Sequence, residues 1–139
     1  LADPEGNEFC VLEPREVYQH TGAVAAIVVE SADPAALATF WSAAIGWPIV
    51  DRGDRFASLR STTGRGPYLE FLPSVEPKRG KNRIHLDVAP QPADDHLSEV
   101  ERLLALGARR VDIGQGDVSW IVLADPQGNE FCVLQPRTT

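Results

Sequence analysis

The sequence has no methionine, only two cysteines and few basic residues. Its 13 lysines and arginines face 20 aspartates and glutamates, which gives a net charge of −7. This charge argues against a nucleic-acid or anionic-membrane partner, because a phosphate-binding surface must be basic. The sequence contains neither an apolar run long enough to cross a bilayer nor a signal-peptide pattern. Because methionine is absent and the first residue is Leu1, we expect the chain to be a piece of a longer product.

One sequence motif occurs twice, as LADPEGNEFCVLEPR in residues 1–15 and as LADPQGNEFCVLQPR in residues 123–137. The segment Asp-Pro-x-Gly-Asn predicts a tight turn, since Pro presets φ, Gly tolerates positive φ, and Asp and Asn bond to nearby backbone. The apolar run Phe-Cys-Val-Leu that follows predicts a short strand. The motif therefore predicts a hairpin at each end of the chain.

The two copies have different interpretations. The second copy predicts the closing hairpin of one complete domain. We interpret the first copy, in residues 1–16, as the tail of a preceding domain of the same kind, with a connector at residues 17–23; the alternative is a native strand recruited into the fold. Cys10 and Cys132 hold the same place in the two copies, which indicates a repeated strand position rather than a disulfide. A reducing, cytoplasmic setting is the expectation.

Residues 24–137 show the same order of predicted elements twice. The apolar, β-branched segment at residues 24–30 predicts a strand. Asp33 and Pro34 then fit the N-cap and the first position of a helix, and Gly46 fits its end. Leu97, Val100, Leu103 and Leu104 predict a second helix, which Asp94 and Asp95 begin and Gly107 ends. The other predicted strands lie at residues 49–52, 56–60, 68–72, 83–88, 110–113, 119–123 and 130–134.

This order predicts an α+β fold of two βαβββ modules, at residues 24–73 and 83–135. One such module cannot cover its own sheet, so two modules packed together are the natural solution. We expect a cupped mixed sheet with the helices on its outer face. Residues 7–12 add an extra N-terminal hairpin strand, the ninth of the chain.

Four segments carry a resemblance to a known superfamily: AAIVVESADPAALATFWSAAIGW, PYLEFLPS, NRIHLDV and VLADPQGNEFCVL. Together with the repeated βαβββ order, they make residues 24–137 resemble the vicinal oxygen chelate superfamily. That group contains glyoxalase I, bleomycin-resistance proteins and extradiol dioxygenases, and the segment His-Leu-Asp-Val is similar to one subgroup of glyoxalase-like domains. The resemblance implies the fold, but this fold hosts many activities.

The resemblance also implies where a metal would be bound. Metal-containing members take one ligand from each of the first, fourth, fifth and last strands. By this resemblance Glu70 and His85 match the fourth-strand and fifth-strand ligands, whereas Ala26 and Cys132 stand at the other two positions. Alanine cannot ligate, and a Glu/His/Cys set differs from the oxygen-rich sites of the family. We therefore expect no cofactor, with a divalent metal held by Glu70, His85 and Cys132 as the alternative.

Strand alternation predicts which side chains line the cup. In the fifth strand the apolar residues Ile84, Leu86 and Val88 are expected to pack under the helices, and the polar residues are expected to face the cup. Trp120 can lie on either face and could stack a planar ligand. The candidates for ligand binding are Tyr68, Leu72, Arg83, Asp87, Trp120 and Cys132.

Glu70 and His85 are the catalytic candidates, because a carboxylate–imidazole dyad can transfer protons near neutral pH. The alternative is a purely structural Glu–His pair, and for Cys132 it is a buried small hydrophobe. We expect a domain that binds a small organic molecule in its cup without the full metal site. The alternatives are a metal-dependent lyase, isomerase or dioxygenase that uses Glu70 and His85, and an ancillary structural domain of a tandem protein.

The expected partners are a small molecule and a second copy of the chain, with neither nucleic acid nor membrane. Residues 7–12 would be a strand without a vacancy in their own domain, and an unpaired strand promotes association. We therefore expect residues 1–15 to dock against a sheet edge, of their own chain or of a second one, and to favour a homodimer.

Overall fold

Eight strands and two α-helices build the fold in the computed structural model, which describes residues 1–137. A short 3-10 turn at Glu16–Tyr18 precedes them. The α+β order β-α-β-β-β occurs twice and confirms the predicted modules. The helices are α1 (Pro34–Ile45) and α2 (His96–Ala105), and the strands are β1 (Ala26–Ser31), β2 (Ile49–Arg52), β3 (Ala57–Leu59), β4 (Tyr68–Pro73), β5 (Leu86–Val88), β6 (Arg109–Arg110), β7 (Ile121–Ala124) and β8 (Glu130–Val133).

The strands form two four-stranded sheets of the same topology. The first sheet has the order β1-β4-β3-β2 and the second has the order β5-β8-β7-β6. In each sheet the first and last strands of the module pair in parallel, and the other neighbours pair antiparallel. No helix in residues 1–137 is long and apolar enough to cross a membrane.

Helix α1 begins and ends where the sequence predicts. The Asp33 carboxylate accepts a hydrogen bond from the Ala36 N–H at 3.0 Å and caps the first turn. Gly46 ends the helix with φ of 72°, a left-handed conformation that glycine adopts without steric strain. These signals are local, so the sequence alone is enough to place them.

The core lies between the helices and one face of the two sheets. Trp41 of α1 packs on Phe131 of β8 with ring centroids 5.0 Å apart, so the first module's helix contacts the second module's last strand. Phe71 of β4 is fully buried in the same cluster.

We call the opposite side of the sheets the cup face. By strand alternation it carries Val28, Ser58, Tyr68, Glu70 and Leu72 in the first sheet, and Asp87, Val122 and Cys132 in the second.

One prediction about an apolar residue is wrong. Ile84 is 67% exposed, because β5 begins only at Leu86 and pairs with β8 no earlier than Phe131. Leu86 and Val88 do pack against the core as predicted.

Several predicted strands are shorter in the structure. The strand predicted near residues 110–113 is found at residues 109–110 as β6, which pairs with Leu123 and Ala124 of β7. The strand predicted at residues 119–123 begins at Ile121, so Trp120 lies outside it. Residues 24 and 25 likewise precede β1.

The N-terminal copy of the motif forms its turn but not its strand. Asp3 accepts hydrogen bonds from the Glu5 and Asn7 N–H groups, both at 2.9 Å. Asp125 accepts the equivalent bonds in the second copy, at 2.9 and 3.0 Å. The turn is therefore an intrinsic property of the motif.

The predicted ninth strand at residues 7–12 is not formed in the single chain. In the part of the chain that the structure describes, residues 1–12 make strand bridges only with one another, through the isolated bridge between Ala2 and Glu8. Phe9 and Val11 are 47% and 76% exposed. Within residues 1–137 the hairpin forms no strand pairing with its own sheets and contacts Arg83 before β5 instead, and docking on a second chain stays a prediction.

Candidate functional site

A segment that precedes β1 lies on the cup face of the first sheet. We call residues 16–21 the cover segment. The Tyr18 hydroxyl donates to Glu70 Oε1 at 2.8 Å, and the Tyr68 hydroxyl donates to the Val17 carbonyl at 3.1 Å. Arg60 donates to the His20 carbonyl at 3.0 Å. Three long-range hydrogen bonds thus fix the cover segment on the sheet.

Tyr68 forms one wall of this site and has no free polar group. Its ring meets the Tyr18 ring edge-on, with centroids 5.7 Å apart. The Arg60 guanidinium lies 4.5 Å from the Tyr68 ring centroid and donates to the Tyr68 hydroxyl at 2.8 Å. Because that hydroxyl already donates to a carbonyl, Tyr68 acts as a rigid aromatic surface.

Glu70 is the polar centre of the site. It lies on the inner strand β4, in register with Val28 of β1 and Ser58 of β3. Within residues 1–137 the half-buried carboxylate accepts a single hydrogen bond, from Tyr18, at Oε1. Its second oxygen accepts no hydrogen bond from that part of the chain. Burial and the hydrogen bond to Glu70 raise the pKa of Tyr18 above its ordinary value.

The Tyr18–Glu70 bond predicts a specific alkaline behaviour. Because the pKa of Tyr18 is higher in the folded state, its stabilising effect is complete below the ordinary tyrosine pKa, about 10, and is lost as the pH rises through the folded-state value. Urea unfolding should find Tyr18→Phe less stable than wild type by about 0.5–1.5 kcal/mol at pH 7.5. This difference should shrink above about pH 10. A difference that is independent of pH would show that the pKa of Tyr18 is the same in the folded and unfolded states, and would contradict the bond to Glu70.

Cys132 occupies the centre of the second sheet's cup face. It is in register with Asp87 of β5 and Val122 of β7 and is 8% exposed. Burial, and then the neighbouring Asp87 carboxylate, raise the pKa of the Cys132 thiol to about 11. The thiol is therefore protonated at neutral pH, which favours its interpretation as a small hydrophobe over that of a nucleophile or thiolate ligand.

The Glu70–His85 dyad is not formed. The two residues belong to different modules, and no strand pairing joins the two sheets within residues 1–137. His85 Nε2 lies 2.8 Å from the Asn82 carbonyl oxygen, and Glu70 is bonded to Tyr18 instead. Glu130, which follows the closing turn, is occupied by the Asn82 N–H and by Lys78, both at 3.0 Å.

The residues present do not fit the metal that the resemblance implies. Glu70 is bonded to a phenol in the first sheet, His85 is bonded to a backbone carbonyl, and Cys132 lies in the second sheet. In the part of the chain that the structure describes, no three His, Cys, Asp or Glu side chains are grouped to hold a metal ion. The three candidate metal ligands are therefore distributed over the two modules.

The remaining ligand-binding candidates fall into two groups. Leu72 and Asp87 are exposed on the cup face. Arg83 instead donates to the Glu5 carbonyl at 2.6 Å and holds the N-terminal hairpin, and Trp120 lies 39% exposed before β7.

Sequence reasoning missed Tyr18, whose only signal was a lone aromatic residue in a polar connector.

Comparison with known proteins agrees with this architecture. The family model described as glyoxalase-like domain matches residues 26–134. A search of curated protein sequences gave no significant match. Many solved structures share the fold.

Three of these structures illustrate the similarity. A glyoxalase/bleomycin resistance protein/dioxygenase family enzyme from Burkholderia phytofirmans has a TM-score of 0.63 at 18% identity, over 81% of this chain and 98% of the other. A glyoxalase-related enzyme from Fulvimarina pelagi has a TM-score of 0.62 at 20% identity, over 81% and 86%. The fosfomycin resistance protein FosX from Mesorhizobium loti has a TM-score of 0.62 at 13% identity, over 81% and 90%. The matched family model and the repeated βαβββ architecture lead to one conclusion: this chain belongs to the glyoxalase-like domain family of the vicinal oxygen chelate superfamily.

Proposed function

We propose that this domain binds a small organic molecule on the cup face of its first sheet, against the Glu70 carboxylate. The observation that carries the proposal is the state of that carboxylate: it is half-buried, and Tyr18 occupies only one of its oxygens. A partly buried acceptor with a vacant oxygen suits a ligand that brings a hydrogen-bond donor.

The surroundings of Glu70 define the class of ligand. Val28 and Leu72, on either side of it, expose 50% and 38% of their surface, and Ser58 adds a hydroxyl in the neighbouring strand. Apolar surface with a few convergent polar groups is typical of small-molecule sites. The site therefore suits a molecule with an apolar body and an amine or hydroxyl group that donates to Glu70.

The proposal does not require the full metal site. Glu70 and His85 are each engaged elsewhere, so a metal-dependent reaction that used them would need both to change partners. The cover segment gives the domain a further means of holding a ligand, because the half-buried ring of Tyr18 supplies aromatic surface beside Glu70.

NMR titration of the ¹⁵N-labelled chain tests the proposal. The probes are small aromatic amines, the matching phenols and the matching methyl-substituted compounds. We expect the amines and phenols to shift the amide signals of Val28, Ser58 and Glu70, and to leave those of Leu37 and Phe40 in α1 unchanged. Shifts confined to the helices, or equal shifts with the methyl compounds, would contradict a donor-binding site at Glu70. Stoichiometric broadening of the Glu70 and His85 signals by Mn²⁺ would support the metal-dependent alternative.

A further inference from the structure

The two copies of the motif form the same hairpin in the same register. In the second copy Leu123 pairs with Phe131 and Ala124 pairs with Glu130. In the first copy the Phe9 N–H donates to the Leu1 carbonyl at 2.9 Å, and Ala2 bridges to Glu8. Each position of the N-terminal hairpin therefore has its counterpart 122 residues later.

The copies differ in what they bury. Phe131 and Val133 are fully buried, whereas their counterparts Phe9 and Val11 are 47% and 76% exposed. Phe131 contacts Trp41, and Trp41 Nε1 donates to the buried carboxylate of Asp125 at 3.1 Å. The N-terminal copy carries the same apolar side chains in the same order as β8. It could therefore bury the same side chains if it took the place of β8.

The two differing positions affect only hydrogen bonds outside the core. Gln127 donates to the Asp33 carbonyl at 2.7 Å, and Gln135 donates to the Ser119 carbonyl at 2.9 Å. Their counterparts, Glu5 and Glu13, are acceptors at neutral pH and cannot make these bonds. The β8 position therefore favours residues 130–133 over the N-terminal copy by the two hydrogen bonds that Gln127 and Gln135 donate. The apolar side chains that pack in the core are the same in both copies.

We propose that residues 1–15 of one copy of the chain are a substitute for β8 of a second copy: they take its place, in a strand-exchanged dimer, when that copy's own β8 cannot pack. A second copy is the recipient, because within residues 1–137 the hairpin of the chain itself is held at Arg83, before β5, and its only strand bridge is internal. Only residues 13–15 link the hairpin to the cover segment, and they can span no more than about 14 Å.

The first test uses a variant that can fold only if the strands are exchanged. Phe131→Asp places a charge in the core, which the chain's own β8 cannot accommodate. In light scattering, we expect this full-length variant to fold as a dimer at high protein concentration and to unfold on dilution. Maleimide labelling of the dimer should modify Cys132 rapidly and Cys10 slowly, the reverse of the pattern for wild type, in which Cys10 is exposed and Cys132 is buried. Phe9→Asp is the matched control and should melt like wild type.

The second test leaves the core intact. Glu5→Gln with Glu13→Gln makes the two copies identical, and it should strengthen dimerisation by roughly tenfold, because the exchanged strand then recovers both donors. Adding Phe9→Asp should abolish that gain. Three results would overturn the proposal: Phe131→Asp that is unfolded at all concentrations, Phe131→Asp that folds as a monomer, or Glu5→Gln/Glu13→Gln that associates no more strongly than wild type.

Discussion

Phe71→Ala is expected to destabilise the protein by about 3–5 kcal/mol, whereas Leu72→Ala, one residue further along β4, should cost less than about 1 kcal/mol. Phe71 is fully buried in the core beneath α1, so its removal leaves a cavity that the surrounding side chains fill only in part. Leu72 is 38% exposed on the cup face. Urea unfolding at pH 7.5 measures both free energies under one set of conditions.

This pair of variants tests the assignment of the two faces of β4. Glu70 and Leu72 point to the same side of the strand because the side-chain period is two. If Leu72→Ala were the more damaging change, β4 would turn its other face to the helices. Glu70 would then be buried under α1 and could not contact a ligand.

Trp41→Ala should also cost about 3–5 kcal/mol. The indole packs against Phe40 and Phe131, and its Nε1–H donates to the fully buried Asp125 carboxylate at 3.1 Å. The substitution therefore opens a cavity and removes a donor from a buried charge. Trp41→Phe keeps an aromatic ring, leaves a smaller cavity and loses the hydrogen bond, for an expected cost of about 1.5–3 kcal/mol.

Trp120→Ala is the control for this prediction. Trp120 is 39% exposed and lies outside β7, so its removal should change the free energy of unfolding by less than about 1 kcal/mol. Equal losses for the two tryptophan variants would mean that α1 is not fastened to the closing turn of the second module.

Much of the fold could be predicted because its signals are local. The cap of α1 at Asp33, its end at Gly46 and the Asp-Pro-x-Gly-Asn turn each form from a few neighbouring residues. The same motif also shows where local information ends. Phe9 and Phe131 have nearly identical neighbours in sequence, yet only Phe131 is buried in a sheet. A strand needs a partner, and the sequence of the strand does not specify whether that partner has a vacancy.

The candidate site was only partly predictable for the same reason. Alternation along β4 places Tyr68, Glu70 and Leu72 on one face, and the structure agrees. The expected Glu70–His85 pair depended on the distance between two modules, which periodicity does not report. Tyr18 reaches Glu70 across 52 residues of sequence, and no pattern in a polar connector indicates such a contact.

The affinity of Glu70→Gln for a bound ligand is the measurement that tests the central claim most directly. The strongest aromatic amine or phenol from the NMR titration is titrated calorimetrically into wild type, Glu70→Gln and the matched control Glu101→Gln, which removes an exposed carboxylate on α2. A ligand that donates to the vacant carboxylate oxygen should bind Glu70→Gln at least about tenfold more weakly, since a hydrogen bond to a charged acceptor is lost. It should bind Glu101→Gln with unchanged affinity. Equal affinities for all three proteins would contradict a binding site centred on Glu70.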